Sequence, residues 1–223
     1  MQSIKSRLFN FMMRNRHLFQ GQLRRPIFDF DTDIDKFREQ CEKGAAKYSK
    51  LPDGISIKQD SLAGIASEWI IPTEANPDKV ILYVHGGGYV SGSCSDHRGF
   101  VSKFAKTCGF LTLLYEYRLA PGYPFPAALD DSVAVYKTLL NKGFKPENIL
   151  ISGESAGGGL ALSLLLALKD LNIILPAAAV AISPWTDLSC SGESYTSKNK
   201  KSVALPNSWN VFRKYYAGDY AYD

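Results

Sequence analysis

With 223 residues, 45% of them hydrophobic and a formal net charge of +4, the chain is long enough to bury one sizeable core and short enough to be one domain. So small a charge gives no general electrostatic case for nucleic acid, and no stretch is long and apolar enough to span a bilayer. Cys41, Cys94, Cys108 and Cys190 lack paired spacing, so neither a zinc site nor a disulfide framework is expected, and a reducing, cytoplasmic location fits.

The chain opens on Lys5, Arg7, Arg14, Arg16, Arg24 and Arg25 with no acid before Asp29. Ile4, Leu8, Phe11 and Met12 recur among them at helical spacing, and the charges interrupt every apolar run too early for a secretory signal. Three readings stay open for this helix: packed on its own domain, which leads, laid on a membrane surface, or an organellar presequence. Pro26 and the acidic run from Asp29 to Asp35 mark a boundary and a second helix start, with Thr32 or Asp33 as N-cap. Phe37, Cys41, Ala45 and Tyr48 follow along one face, and this helix ends before Pro52.

Residues 55–60 and 65–71 read as two strands with Ser61 to Gly64 as the turn, and Pro72 to Asp78 as a loop. From Val80 apolar strands alternate with helices: a strand to His85, a helix from Arg98 to Cys108, a strand from Leu111 to Tyr115 and a helix from Pro126 to Leu140. A strand over 148–152, the helix after Ser155 and a strand from Ala178 to Ser183 complete the series. Such alternation predicts an α/β fold whose mostly parallel sheet is covered on both faces, with the two leading strands as an antiparallel edge. Ser189 to Ser202 reads as a polar, lysine-rich surface loop.

Two glycine-rich strings carry the chemistry. Between Ile149 and Gly159 an apolar strand breaks at Gly-Glu-Ser-Ala-Gly and hands over to an Ala/Leu-rich helix. A Gly-x-Ser-x-Gly there is a nucleophile elbow: the glycines relieve crowding in the tight turn, and Ser155 stands clear with a helix N-terminus behind it. His85-Gly86-Gly87-Gly88-Tyr89 follows another predicted strand. Acyl transfer needs N–H donors already in place at about 2.7–3.1 Å from a developing oxyanion. The expected donors are Gly87, Gly88 and Ala156, the residue after the nucleophile. His85 and Gly86 support that loop, the histidine bracing it through its ring nitrogens. A phosphate-binding loop is the rival reading, and the run lacks the Lys-Ser/Thr ending of one.

Together the strings HGGGYVSGS (85–93), EYRLAPGYPFPAALDD (116–131), SGESAGGG (152–159) and SPWTDLS (183–189) resemble the hormone-sensitive lipase family of α/β-hydrolase esterases, in the family's order and at similar spacing. The resemblance spans most of residues 80–190. It implies an α/β-hydrolase fold in which residues 1–50 form an N-terminal helical cap and residues 51–223 an incomplete catalytic domain. Two positions depart from the family pattern: Glu154 stands where Asp is usual, and Gly122-Tyr123 where Glu-His is typical.

A serine hydroxyl needs a histidine to take its proton and a carboxylate to orient that histidine. In this fold their order is serine, acid, histidine, yet His17, His85 and His97 all precede Ser155. The resemblance puts the acid and the base beyond residue 200, so these residues are expected to be the N-terminal part of a longer enzyme. The C-terminal part of the fold would be missing, with the 178–183 strand left as an exposed edge. The local substitutes each have a structural reading: Asp187 in its loop, Asp130 and Asp131 on a helix surface or a loop contact, His97 at a helix start.

The expected function is a serine carboxylic-ester hydrolase acting on short to medium acyl esters through an acyl-enzyme at Ser155. The alternatives are a catalytically inactive small-molecule-binding receptor on the same fold and an amidase such as a formamidase. No cofactor and no metal are expected. The expected partner is a small-molecule ester, with a weak membrane-surface contact through the basic helix and a homodimer as further expectations.

Overall fold

The computed structural model describes residues 3–19, 21–46 and 50–220. Three helices come first: α1 (Ile4–Arg14), α2 (Arg16–Phe19) and α3 (Ile34–Ala46). Ser3 caps α1, its hydroxyl accepting from Ser6 N–H at 3.1 Å. α1 buries no residue among the described ones and is partly covered at Ser6, Met13 and Arg14. Tyr48, placed by its spacing on the second helix, lies outside the described residues. Among the described residues no helix is long and apolar enough to cross a membrane.

β1 (Ile55–Leu62) and β2 (Ile65–Pro72) form an antiparallel hairpin from Ile55↔Pro72 to Leu62↔Ile65. The turn is only Ala63-Gly64, both at positive φ (54° and 81°), as a two-residue hairpin connection of this kind requires. Ser61 and Leu62 therefore belong to the strand and not to the turn. Most of the loop expected over Pro72 to Asp78 is also strand. β3 (Asn76–Val84) starts early because Asn76 N–H reaches Gly109 O at 2.9 Å.

α4 (Cys94–Cys108) begins four residues before the expected start. A capping box explains it: Ser93 Oγ accepts from Asp96 N–H, and the Asp96 carboxylate accepts from Ser93 N–H. Gly109, in the left-handed region at φ 66°, ends the helix before β4 (Phe110–Tyr115). Then come α5 (Ala127–Asn141), β5 (Ile149–Glu154), α6 (Ala156–Asp170) and β6 (Ala178–Ile182). The sheet order is β1-β2-β4-β3-β5-β6. β2 runs antiparallel to both its neighbours, and β4, β3, β5 and β6 run parallel.

Alternation along the strands builds a core on each face of the sheet. Val80, Leu82 and Val84 of β3 pack with Leu113, Ile149 and Ile151 against α5 and α6. Ile81, Tyr83 and Leu114 face the other way, against Val101 and Ala105 of α4. β3 is thus buried on both sides, which is why its run is apolar without interruption. Among the described residues β6 pairs with β5 alone and leaves Val180 40% exposed, the edge position expected for it.

The polar segment expected as a loop over Ser189 to Ser202 contains a short helix, α7 (Ser194–Ser197), and a 3-10 turn (Asn199–Lys201). An amphipathic helix with no sequence expectation, α8 (Ser208–Ala217), follows. Its Phe212 ring meets Phe28 at 4.8 Å and Phe37 at 6.1 Å between centroids. Backbone and side-chain bonds tie the same surfaces together: Phe28 N–H donates to Pro206 O at 3.0 Å and Arg25 Nη2 to Ala204 O at 2.6 Å.

Candidate active site

β3 and β5 are parallel neighbours, and Val84 pairs with Gly153. Two residues further along each strand stand Gly86 and Ser155, so the register by itself brings the glycine loop to the elbow. Ser155 has φ 54° and ψ −123°, a conformation that costs any residue with a Cβ about 1–3 kcal/mol. It is held there by its own backbone: Ser155 N–H donates to Ile182 O at 3.0 Å, and Ser155 O accepts from Trp185 N–H at 2.8 Å. A Cβ on Gly153 would stand 2.4 Å from Gly157 O, and one on Gly157 would stand 2.2 Å from Val84 O. Strand, turn and helix therefore touch backbone to backbone. Ser155 is half-buried and forms the N-cap of α6, where unpaired helical N–H groups favour negative charge.

The loop after β3 curls on the Gly87 carbonyl, which accepts from Val90 N–H at 3.2 Å, Ser91 N–H at 3.0 Å and Ser91 Oγ at 3.0 Å. Gly87 sits at φ 120°, and a Cβ there would collide with Ser91 O at 2.1 Å. A Cβ on Gly86 would lie 3.2 Å from Ser155 Cβ, and one on Gly88 would lie 2.3 Å from the Phe212 ring. The structure thus brings Gly86, Gly87, Gly88, Ser155 and Ala156 together at the carboxyl ends of β3 and β5. That is the end of an open α/β sheet where ligands bind.

His85 is fully buried, and it braces the loop through one nitrogen and not both. Nδ1 lies 2.9 Å from Gly86 O, Nε2 has no partner among the described residues, and the ring stacks on Tyr117 at 4.2 Å. The Tyr117 hydroxyl donates to His85 O at 2.9 Å. Burial, reinforced by the neighbouring His97, pulls the His85 pKa down to about 4. The neutral ring donates its Nδ1 hydrogen to the carbonyl.

The remaining candidates take structural places. Asp131 is buried and accepts from Arg118 N–H at 2.8 Å and from its Nε at 3.0 Å, a loop contact as expected. Asp187 accepts from Ser189 and Ser191, whose hydroxyls and amides hold its pKa down to about 2. Tyr123, at the departure from the family pattern, receives the Arg118 guanidinium over its ring at 5.7 Å. His97 lies at a helix start as expected, in the first turn of α4, with each ring nitrogen facing a carboxylate, Asp96 and Glu154. Sequence reasoning missed the tie that Glu154 makes to the loop, where Oε1 accepts Gly86 N–H at 2.5 Å. The Ser-x-x-Asp of residues 93–96 was the available signal for α4, the element that carries His97.

One helical turn beyond Ser155, an apolar cavity of about 400 Å³ opens beside Gly159. Tyr89, Phe125, Leu162, Leu166, Trp185 and Tyr216 line it. Tyr89 and Tyr216 stack face to face at 3.7 Å, which closes the side nearest the glycine loop.

A family model described as alpha/beta hydrolase fold matches residues 81–223. The chain is 41% identical over 154 residues to an acetyl-hydrolase of Streptomyces hygroscopicus, covering 68% of this chain and 51% of that protein. It is 35% identical over 151 residues to an esterase of Acinetobacter venetianus, covering 68% and 50%. The chain thus spans about half the length of these curated relatives. The solved structure of an esterase from the bacterial hormone-sensitive lipase family superposes with a TM-score of 0.88 at 34% identity, covering 100% of this chain and 72% of that one. With the strained serine elbow and the glycine loop in register beside it, these likenesses place the chain in the hormone-sensitive lipase family of the α/β-hydrolase fold.

Proposed function

We propose that the protein is a serine carboxylic-ester hydrolase acting on short to medium acyl esters. The observation that carries this reading is the contact of the Gly86–Gly88 loop with the strained Ser155 at the N-terminus of α6. Ser155 Oγ attacks the acyl carbonyl, and the Gly87, Gly88 and Ala156 N–H groups receive the oxyanion. The acyl-enzyme is then cleaved by water. The apolar cavity beside Gly159 suits the acyl chain. Neither His85 nor His97 is assigned the proton shuttle in this reading, because both are engaged elsewhere.

Fluorophosphonate labelling of the intact cellular protein tests the reading, because only an activated serine is phosphonylated rapidly. Rapid labelling at Ser155, together with turnover of p-nitrophenyl acetate and butyrate, is expected. Ser155→Ala should leave only about 10³–10⁴-fold catalysis over water. Full turnover in that variant removes Ser155 from the mechanism. Ligand binding without labelling selects the receptor reading, and faster cleavage of aryl amides than of esters selects the amidase.

The same protein is proposed to rest α1 on the anionic surface of a membrane. Ile4, Leu8, Phe11 and Met12 lie on one exposed face of the helix, with Lys5 on one flank and Arg7 and Arg14 on the other. The side turned toward the protein holds Ser6 and Met13 instead. An apolar stripe edged by cations suits a headgroup boundary. Flotation with phosphatidylglycerol-containing vesicles, lost in high salt and in L8D/F11D, is the expected result. Equal flotation with pure phosphatidylcholine rules out the electrostatic part.

A further inference from the structure

His97 takes no part in the chemistry described above, yet it is two hydrogen bonds from the glycine loop. Its Nε2 lies 2.9 Å from Glu154 Oε1, the same oxygen that accepts Gly86 N–H at 2.5 Å. Its Nδ1 bonds Asp96 Oδ1. Asp96 is fixed in turn by the capping box of α4, where Oδ1 accepts Ser93 N–H at 2.9 Å. A continuous chain of bonds runs from the start of α4, through Asp96, His97 and Glu154, to the first amide of the loop.

We propose that this chain positions the oxyanion loop, with His97 as the positioning residue that holds the Glu154 carboxylate on Gly86 N–H. The inference rests on the reading of Gly87 and Gly88 as oxyanion donors. Glu154 immediately precedes the nucleophile, so β5 fixes its Cα while Gly86 and His97 fix its carboxylate. Space enforces the contact, since a Cβ on Gly86 would stand 2.8 Å from Glu154 Oε1. Without His97 the partly buried carboxylate would lose its countercharge and keep the Tyr83 hydroxyl as its side-chain partner. It would take up a proton or turn toward water, and either change weakens its hold on Gly86.

Both ring nitrogens of His97 face carboxylate oxygens, so both carry hydrogen and the ring is a cation. Burial opposes that charge, but Asp96 and Glu154 overcome it and lift the His97 pKa to about 10. Burial would raise Glu154, and His97 instead holds it below the usual carboxylate range. The other titratable groups around this pair are Tyr83 on β3, His85 just after it, Glu116 and Tyr117 just after β4, and Cys41 on α3 next to Asp96. The cation also offsets two negative charges near the position where the oxyanion develops, which would otherwise raise the energy of the transition state.

Carbon-detected NMR on the intact cellular protein tests the coupling without any mutation. The His97 ring should titrate near pH 10, and the Gly86 and Glu154 backbone carbons should shift with the same midpoint. Gly86 carbons indifferent to the His97 titration overturn the proposal, as does a ring that is neutral at pH 8.

In the intact cellular protein, H97L should lower kcat per phosphonate-titrated Ser155 by about 10²-fold, the scale of one lost oxyanion donor, with KM nearly unchanged. H97Q, which keeps one donor for Glu154, should recover part of the loss. Equal kcat per titrated serine in H97L overturns the positioning role. A wild-type protein with no ester turnover, but with Gly86 still following His97, overturns the esterase reading and leaves the coupling in place.

Discussion

At Gly157 the elbow has no spare volume, because a methyl there would meet Val84 O at 2.2 Å and His85 O at 2.3 Å. These are backbone atoms of a central strand and cannot step aside. Gly157→Ala should therefore cost about 3 kcal/mol, the upper end for overpacking, and lower the thermal midpoint measurably. Gly122→Ala is the control: its nearest neighbour would be 3.8 Å away, and a surface change of this kind stays within about 0.5 kcal/mol. Ser155 carries the opposite strain. Ser155→Gly should raise stability by about 1 kcal/mol or more, since glycine accepts φ 54° without the clash, while it removes the nucleophile. A thermal melt that places S155G below wild type would mean the surrounding hydrogen bonds, and not the backbone, set the stability of the turn.

The start of α4 and the ends of β3 and β5 meet in two histidines with opposite shifts, and together they set how stability responds to pH. His97 is raised from 6.5 to about 10. Its contribution is complete below its ordinary value and is lost as pH climbs toward 10. His85 is lowered from 6.5 to about 4; its contribution is complete above its ordinary value and is lost as pH falls toward 4. Stability should peak near neutral pH and decline on both sides. H97Q should flatten the alkaline decline and leave the acid one, as read by denaturant melts across pH. An unchanged alkaline limb in H97Q would assign that limb to other groups.

For the whole molecule, the sheet ends on β1 of the hairpin at one side and on β6 at the other, among the described residues. An apolar edge strand with unpaired N–H and C=O groups invites pairing with another chain. Val180→Lys should lower concentration-dependent light scattering of the 223-residue chain without lowering its melting midpoint, because Val180 is 40% exposed. Scattering equal to wild type would locate the association elsewhere, with the exposed apolar face of α1 as the next surface to vary.

Local sequence determined the two glycine strings, the strands they follow and the helix behind Ser155, because each depends on neighbours within a few residues. A tight turn needs glycine on both sides of Ser155, and the apolar runs from Val80 and Ile149 read as buried strands without any knowledge of their partners. The start of α4 was legible too, in Ser93 and Asp96, once read as a cap and not as a surface pair. Helix α8 was not legible as a part of the site. Its value lies in Phe212 reaching Gly88 across 124 positions of sequence and in Tyr216 stacking on Tyr89, contacts that no local pattern encodes. Only the tertiary structure decided that His97 holds Glu154, and that α1 turns its apolar face outward. A side chain's partner across the sheet is set by strand register and helix placement, and a period of 3.6 residues reveals a stripe without saying which way it faces.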